Sequence, residues 1–587
     1  MATLTASPIA QTKGGNFLLE NLRPDQVFTP EDFTEEHKSI RKTTEEFHRQ
    51  EIAPNAEKIR HAEHAVCVEI LKKSGKLGLT GVVIPEEYGG MEMDLVSMMI
   101  VAEGISKEGS YSAWHGAHTG IGTLPLLMFG TKEQKAKYLP KLATAEMVAA
   151  YCLSEPQAGS DALAARTRAD LTPDGKHYIL NGQKMWITNG GYADLYTVFA
   201  KVGGEKFTAF LVERAYEGVK PGAEEKKMGI KGSSTTAIYL DNVKVPVENV
   251  LGEVGRGHVI AFNILNLGRL KLGPFATGGC KDALATSIRY AKERKAFGKS
   301  IADFGMIQHK LAEMAIRLYA AESMGYRITG AVSALLDGSS WADPDYAAKK
   351  LKATEEFAPE CSYIKVFASE VLDYIVDEAV QIHGGYGFHQ DYAVEHAYRD
   401  SRINRIFEGT NEINRMLATG MLLKRAQKGA LPLVDAVKKL QAEIMAGPSM
   451  DSSGDEDTRL VQNAKKISLF ALGIAYLKYG TGLEQEQEVL ASLTDIMMNT
   501  FAMESVLLRT QKNPSDQKRD MTTVFLRETM EQIEAFARNV LAASSEGDAL
   551  RMNLTVLKRF TKFEPVNAIG LRRVIAGRLL NAERYVL

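Results

Sequence analysis

The chain has 587 residues, too many for a single core, so two to four domains are expected. Hydrophobic residues make up 45% and charged residues 25%, the balance of a globular protein rather than a disordered or membrane-spanning one. A net charge of −2 excludes a global field for nucleic acid, so any anionic ligand must be held by local groups.

Residues 1–30 are polar and broken by glycine, and read as an arm. Over 31–146 helical spacing dominates: FTEEHKSIRKTTEEFHRQEIAP stops at Pro54, and DLVSMMIVAEGISKEG and TKEQKAKYLPKL read as further helices. The character changes over 147–250, where VAAYCL, HYILNG, KMWIT, LYTVFAKV, KFTAFLVE and TTAIYL are short aromatic and β-branched runs. Asn181-Gly182, Asn189-Gly190-Gly191, Gly203-Gly204 and Asp241-Asn242 stand between them as turns, which predicts a compact β-domain. Over 251–430 helical spacing returns, with GMIQHKLAEMAIRLYAAESMGYRITGAVSALL and EEFAPECSYIKVFASEVLDYIVDEAVQIHGG as long bundle helices. Residues 431–587 form a further helical extension, interrupted by Pro448 and the acidic SMDSSGDED of 449–457. The expected fold is mainly α with a central β-domain, not the strand–helix alternation of a dinucleotide-binding sheet.

Four dispersed cysteines without a CxxC pair fit a reducing compartment, and the HxxH spacings at 61/64 and 115/118 lack the company a metal site needs. No metal is expected. The N-terminus has no apolar signal core, and the longest apolar run, ISLFALGIAYL, is too short to span a bilayer; a cytoplasmic protein follows. FGKS at 297–300 lacks the upstream phosphate-loop glycine, since residue 293 is Glu293, and GEVGRG has the wrong spacing for a Rossmann turn.

Five stretches carry chemistry. YCLSEPQAGSD (151–161) runs a strand into Gly159-Ser160, a turn with free amides and a hydroxyl that suits a phosphate or a flavin edge, or a plain strand exit. In MWITNGG, Trp186 and Thr188 face the same side of a strand, able to stack on a ring and meet its polar edge, or to fill a core. In ERKAFGKS, Arg294 and Phe297 are three apart near a helix end and could clamp an adenine and its phosphates, or simply close the helix. In QIHGGYGF, Gly384-Gly385 breaks a helix and permits close approach to the backbone. In RIFEGTNEINRM, Glu408 precedes Thr410 and Asn411, which resemble an N-cap; the helix start favours an anion, either a phosphate or the Glu408 carboxylate itself.

In this order the five motifs resemble the acyl-CoA dehydrogenase family. The likeness runs from about residue 35 to 425, and the helical region after 430, with EKKMGIKGSSTT and DSRINRIFEGTNEI, makes the very-long-chain branch the nearest resemblance. The resemblance implies an N-terminal helical domain, a β-barrel-like middle domain, a C-terminal four-helix bundle and bound FAD. Tyr151, Cys152, Leu153, Ser154, Gly159 and Ser160 would line the flavin and pyrophosphate, with Trp186, Ile187 and Thr188 against the ring. Arg294 and Phe297 would reach the FAD of a neighbouring subunit, Gln381, Gly384 and Gly385 would lie beside its ADP portion, and Thr410, Asn411 and Glu412 would complete the site.

Glu408 would be the base that takes the α-proton of a fatty acyl-CoA, giving the trans-2-enoyl-CoA of the first β-oxidation step. Ser160, Asn266, Arg269 and Gly409 would meet the substrate; Gly268 stands where some relatives carry the base and cannot act. Gly120 and Gly122 would admit a long acyl chain, while Pro125 departs from the branch pattern and allows a shorter limit. The resemblance further implies electron-transferring flavoprotein as acceptor and a homodimer. Leu433, Val437, Leu440 and Ile444 give an amphipathic face that packs on the bundle in preference to a membrane surface. An oxygen-using acyl-CoA oxidase and a non-catalytic assembly relative are the rival readings.

Overall fold

The computed structural model describes residues 9–447 and 455–587; the linker expected at Pro448 and 449–457 falls largely outside them. It is mostly helical around one eight-stranded sheet. The N-terminal region includes α1 (Glu35–Phe47), α2 (Leu95–Ile105) and α3 (Gly109–Ala117). Thr34 caps α1, its hydroxyl accepting from the His37 amide, and Asp94 caps α2 through the Ser97 amide. α2 is apolar nearly all round and is buried accordingly, from Leu95 to Ile105.

The sheet comprises β1 (Ala149–Cys152), β2 (Arg168–Leu171), β3 (His177–Thr188), β4 (Leu195–Val202), β5 (Lys206–Glu213), β6 (Val219–Glu224), β7 (Thr235–Pro246) and β8 (Val250–Leu251). Its order is β6-β7-β3-β2-β4-β5-β8, with β1 parallel to β4. Residues 195–200 of β4 are all buried because its two faces serve different cores. Val198 joins Tyr178, Phe210 and Val212 in the interior of the β-domain, while Phe199 and Leu195 join the helical core.

Two expected turns are not turns. HYILNG and KMWIT form the single strand β3, and Asn181-Gly182 marks a bulge in its pairing with β7. Gly182 is needed there, since a Cβ would lie 2.5 Å from Thr167 Oγ1. Asp241-Asn242 lies inside β7 for a matching reason: Asn242, at φ +52°, donates its amide to Asn181 Oδ1 at 2.8 Å. The two irregularities face each other, so side-chain bonding replaces a stretch of ladder. β2 and β6, short and half exposed, carry too weak an alternation to be seen in the sequence.

Beyond the sheet run α4 (Gly257–Glu293), α5 (Gly305–Ala334), α6 (Ala358–His383) and α7 (Asn411–Gln427). The extension contributes α8 (Leu433–Ala446), α9 (Glu456–Tyr479), α10 (Gln487–Lys512), α11 (Asp516–Ser544) and, last in the chain, α12 (Gly547–Phe560) and α13 (Ala568–Ala582). Its apolar residues share one continuous core with the bundle; Phe501 stands edge-on to Phe17 of the arm, centroids 5.1 Å apart. Leu433 and Leu440 of α8 are buried, and Val437 lies so close to α9 that a Cβ on Gly473 would meet it at 2.7 Å. The amphipathic face of α8 is thus spent on packing.

Buried ion pairs cross the same seam. Arg509 of α10 binds Glu322 of α5 at 2.7 Å and Glu31, just past the arm, at 3.0 Å, and Lys518 of α11 reaches Glu31 at 2.8 Å. Lys281 of α4 bridges Glu322 to Glu103 of α2. Arg327 of α5 pairs with Glu504 at 2.7 Å. The basic C-terminal stretch docks too, through Arg572 on Glu313 at 2.7 Å.

Candidate active site

Glu408 sits in the turn between the short helix Arg402–Arg405 and α7. Its φ is +56° and that of Gly409 is +81°, a left-handed pair that is costly for a residue with a Cβ. Surrounding bonds hold it there. Arg269 Nε donates to the Glu408 carbonyl at 3.1 Å, Lys365 Nζ to the Gly409 carbonyl at 2.7 Å, and Asn414 Nδ2 to Gly409 and Thr410 carbonyls at 2.8 and 3.0 Å. Thr410 caps α7, its hydroxyl accepting from the Ile413 amide. Asn411 is buried and ties the turn to α6 through Lys365, Ser369 and Glu370. Glu412 stays at the surface.

The carboxylate is differently placed from its backbone. Oε2 is out of solvent and has no hydrogen-bond partner among the described residues. Burial pushes the carboxyl up to about 7, against the opposing pull of Arg269, Lys365 and Lys271. Lys365 itself is drawn down to about 7 by burial. Beneath the carboxylate runs α4 at Gly268, where a Cβ would approach three carboxylate atoms at 3.0 Å. Glycine there gives Glu408 room and leaves it without a competing acid.

The opposite wall is the β-domain. Tyr151 is buried with its hydroxyl unpartnered, and the Glu408 charge lies near enough to raise its phenol further. Cys152 and Leu153 are buried, and the Ser154 carbonyl accepts from the Met185 amide at 3.0 Å, which joins the exit of β1 to β3. One residue on, β3 bulges: Trp186 adopts φ +59° and leaves its indole 60% exposed, with Ile187 turned into the core and Thr188 half-buried. A tryptophan forced outward at a left-handed position is a flat apolar surface without a cover. Gly159 and Ser160 are exposed, with open space where a Gly159 Cβ would lie. The exposed indole, open glycine turn and two orphaned buried oxygens suit a flat polar ring system entering between the walls.

Asn266 and Arg269 are both buried and bonded to each other at 3.0 Å, and Arg269 also donates to the Glu408 carbonyl. Arg294, Phe297, Gln381, Gly384 and Gly385 gather elsewhere on an exposed patch. The Arg294 guanidinium lies 5.4 Å over the Tyr386 ring, and Phe297, at φ +53°, is 95% exposed. No hydrogen bond or ring contact among the described residues links this patch to Glu408 or Trp186.

Sequence reasoning missed Lys365, Asn414, Lys271 and the pair Lys184–Glu155. Lys184 joins Glu155 at 2.6 Å with both side chains buried, and Glu155 also accepts from the Arg166 and Thr167 amides. The one signal for Lys365 was its placement between Ile364 and Val366, in a helix apolar on more than one face.

A buried carboxylate without a partner near Tyr151, and an uncovered indole on β3, suit a ring-binding oxidoreductase. The chain belongs to the acyl-CoA dehydrogenase family, a family of FAD-dependent oxidoreductases: its N-terminal domain matches over 34–146, its middle domain over 150–243 and its C-terminal domains over 255–340 with 344–422 and over 463–559. A probable acyl-CoA dehydrogenase of Bacillus subtilis is 49% identical over 585 residues, covering 98% of each chain. The very long-chain specific mitochondrial enzyme of Bos taurus is 39% identical over 480 residues, 75% of this chain and 69% of its own. A crystal structure of an acyl-CoA dehydrogenase complexed with FAD from Bacillus anthracis superposes with a TM-score of 0.96 at 50% identity, covering 98% of this chain and all of that one.

Proposed function

We propose that the protein oxidises fatty acyl-CoA, long chains included, to trans-2-enoyl-CoA with Glu408 as base. The observation that carries this is the buried, unpartnered Glu408 carboxylate, raised to about 7, whose charge acts on the buried Tyr151 of the β-domain. Tyr151, Ser154, Trp186 and Thr188 would hold the flavin of FAD, with Gly159 and Ser160 at its polar portion. Bound FAD supplies the hydride acceptor for the β-hydrogen. Glu408 takes the α-proton, and its backbone amide polarises the thioester carbonyl, whose oxygen gains charge as the proton leaves. Arg269, Lys365 and Asn414 hold the base at one position, so orientation is prepared before substrate arrives. Raising the carboxyl brings its basicity nearer that of the carbon acid.

Anaerobic addition of acyl-CoAs of graded length should bleach the flavin band, most strongly with long chains; no bleaching by any length refutes the reading. The rate should also report the base. Glu408 must be ionised, so kcat/KM should fall about tenfold per pH unit below about 7 and level off above it. A flat profile from pH 5 to 8 contradicts Glu408 as the titrating group.

Electrons would pass to an electron-transferring flavoprotein; turnover by oxygen alone would favour the oxidase reading. The exposed patch of Arg294 and Phe297 with Gln381, Gly384 and Gly385 would reach the cofactor of a second subunit. A homodimer of twice 64.5 kDa is expected by light scattering, and a monomeric or tetrameric mass counts against it. Four buried free thiols accord with a reducing, cytoplasmic setting.

A further inference from the structure

Tyr151 is a buried tyrosine whose hydroxyl the fold does not use. It lies on β1, where alternate residues serve different cores: Ala150 and Cys152 join the β-domain interior, while Ala149, Tyr151 and Leu153 join the helical core. The Tyr151 ring therefore faces away from the interior of its own domain and toward the helices. Packing fixes the ring, which stands edge-on to Phe199 with centroids 5.1 Å apart. Its oxygen is out of solvent and has no hydrogen-bond partner among the described residues. A phenyl ring would fill the same space without stranding an oxygen, so packing alone does not call for the hydroxyl.

The helical side presents a matching orphan. Among the described residues, the hydrogen bonds that end on Glu408 all go to its carbonyl, none to its carboxylate, and Oε2 is sealed from solvent. The cations around it are engaged elsewhere. Arg269 donates to the Glu408 carbonyl and Asn266, Lys365 to the Gly409 carbonyl and Asn411, and Lys271 to Thr119. With Tyr151, these are the charged and titratable groups coupled to the carboxyl, from α4, α6 and β1. Burial and the Glu408 charge together push the Tyr151 phenol well above its ordinary value. It therefore keeps its proton at every working pH and can offer it in a hydrogen bond, while an ionised carboxylate can only accept.

We propose that Tyr151 is a positioning residue: its hydroxyl donates to the ionised Glu408 carboxylate, across one bridging water or directly after a small side-chain rotation, and so keeps the base aimed and restrains its basicity. The inference rests on the dehydrogenase reading above. Tyr151 transfers no proton. The α-proton still goes to Glu408, and the hydroxyl, free to turn, then accepts from the protonated acid, so the pair stays satisfied on both sides of the step.

The test uses full-length, FAD-loaded Tyr151→Phe protein and anaerobic flavin reduction, from pH 5 to 9, by whichever acyl-CoA reduces the wild type fastest. Removing a donor to the charged form raises a carboxyl. The acid limb of the second-order rate should therefore move up by about one pH unit, a loss of about tenfold at pH 6, with the rate above the limb within about threefold of wild type. FAD content and the thermal midpoint should not fall, since the hydroxyl supports no bond of the fold. A limb that stays in place overturns the proposal, whatever the variant does to melting.

A second measurement needs no turnover: infrared titration of the Glu408 carboxyl band, identified by its absence in Glu408→Gln. Tyr151→Phe should move that titration upward by the same unit, and an unmoved band overturns the proposal even where the variant has lost FAD. Flavin that no acyl-CoA reduces in the wild type is a separate result. It defeats the dehydrogenase reading, and the infrared titration then decides the role of Tyr151.

Discussion

Glu408→Gln should lose at least about 100-fold in the rate of flavin reduction while keeping a full complement of FAD. Glutamine has nearly the same shape, so the turn held by Arg269, Lys365 and Asn414 should persist; those bonds run to backbone carbonyls, not to the side chain. What disappears is the proton acceptor. Gly268 offers no replacement, and the buried lysines nearby are cations that the Glu408 charge helps to keep protonated. The titration near pH 7 should vanish with the carboxylate, leaving a residual rate without that limb. Near-normal reduction of the variant by an acyl-CoA would remove Glu408 from the mechanism. Colourless protein would place its role in cofactor binding.

Lys184→Met should destabilise the β-domain by about 3–5 kcal/mol, because it leaves Glu155 as an unpaired buried charge. The pair stands where β1 leaves the sheet and β3 approaches its bulge, so the loss should also weaken the Trp186 wall and release FAD on mild heating. pH supplies a check of sign. Lys184 and the amides of Arg166 and Thr167 hold the Glu155 carboxyl at about 2, below its ordinary 4.5. A carboxylate held low stabilises the fold above pH 4.5, and that contribution fades as pH falls from there toward 2. The variant should therefore differ most from wild type near neutrality and least in acid, in chemical denaturation followed by intrinsic fluorescence. Adding Glu155→Gln should recover part of the loss, since the stranded charge goes with it. An equal deficit at pH 7 and pH 3 would assign the effect to packing.

The broad architecture was legible because local signals carry it. β-branched runs mark the sheet, and Thr410 with Asn411 announces the start of α7. Glu408 was legible as an acid just before a helix in a sequence resembling a known family. Its strained φ, and the cations that set its basicity, were not. Lys184, Lys271 and Lys365 sit in stretches where lysine ordinarily points to solvent, and their burial depends on residues at positions 155, 119 and 411, far along the chain. The bulge at Asn181-Gly182 was misread for the reverse reason: a dipeptide that usually turns the chain here meets another irregularity across the ladder and continues straight.

The buried charges at the seam of the extension make this last quarter of the molecule hard to discard in evolution or by truncation. Glu31, Glu322 and Arg327 are neutralised by Arg509, Lys518 and Glu504, all encoded downstream of the bundle. A shorter descendant cut after the bundle would inherit Glu31 and Arg327 without these partners and Glu322 with Lys281 alone, on an otherwise oily surface, and would have to replace them before it could survive the cut. Length in this lineage is guarded by electrostatics as much as by greasy contact.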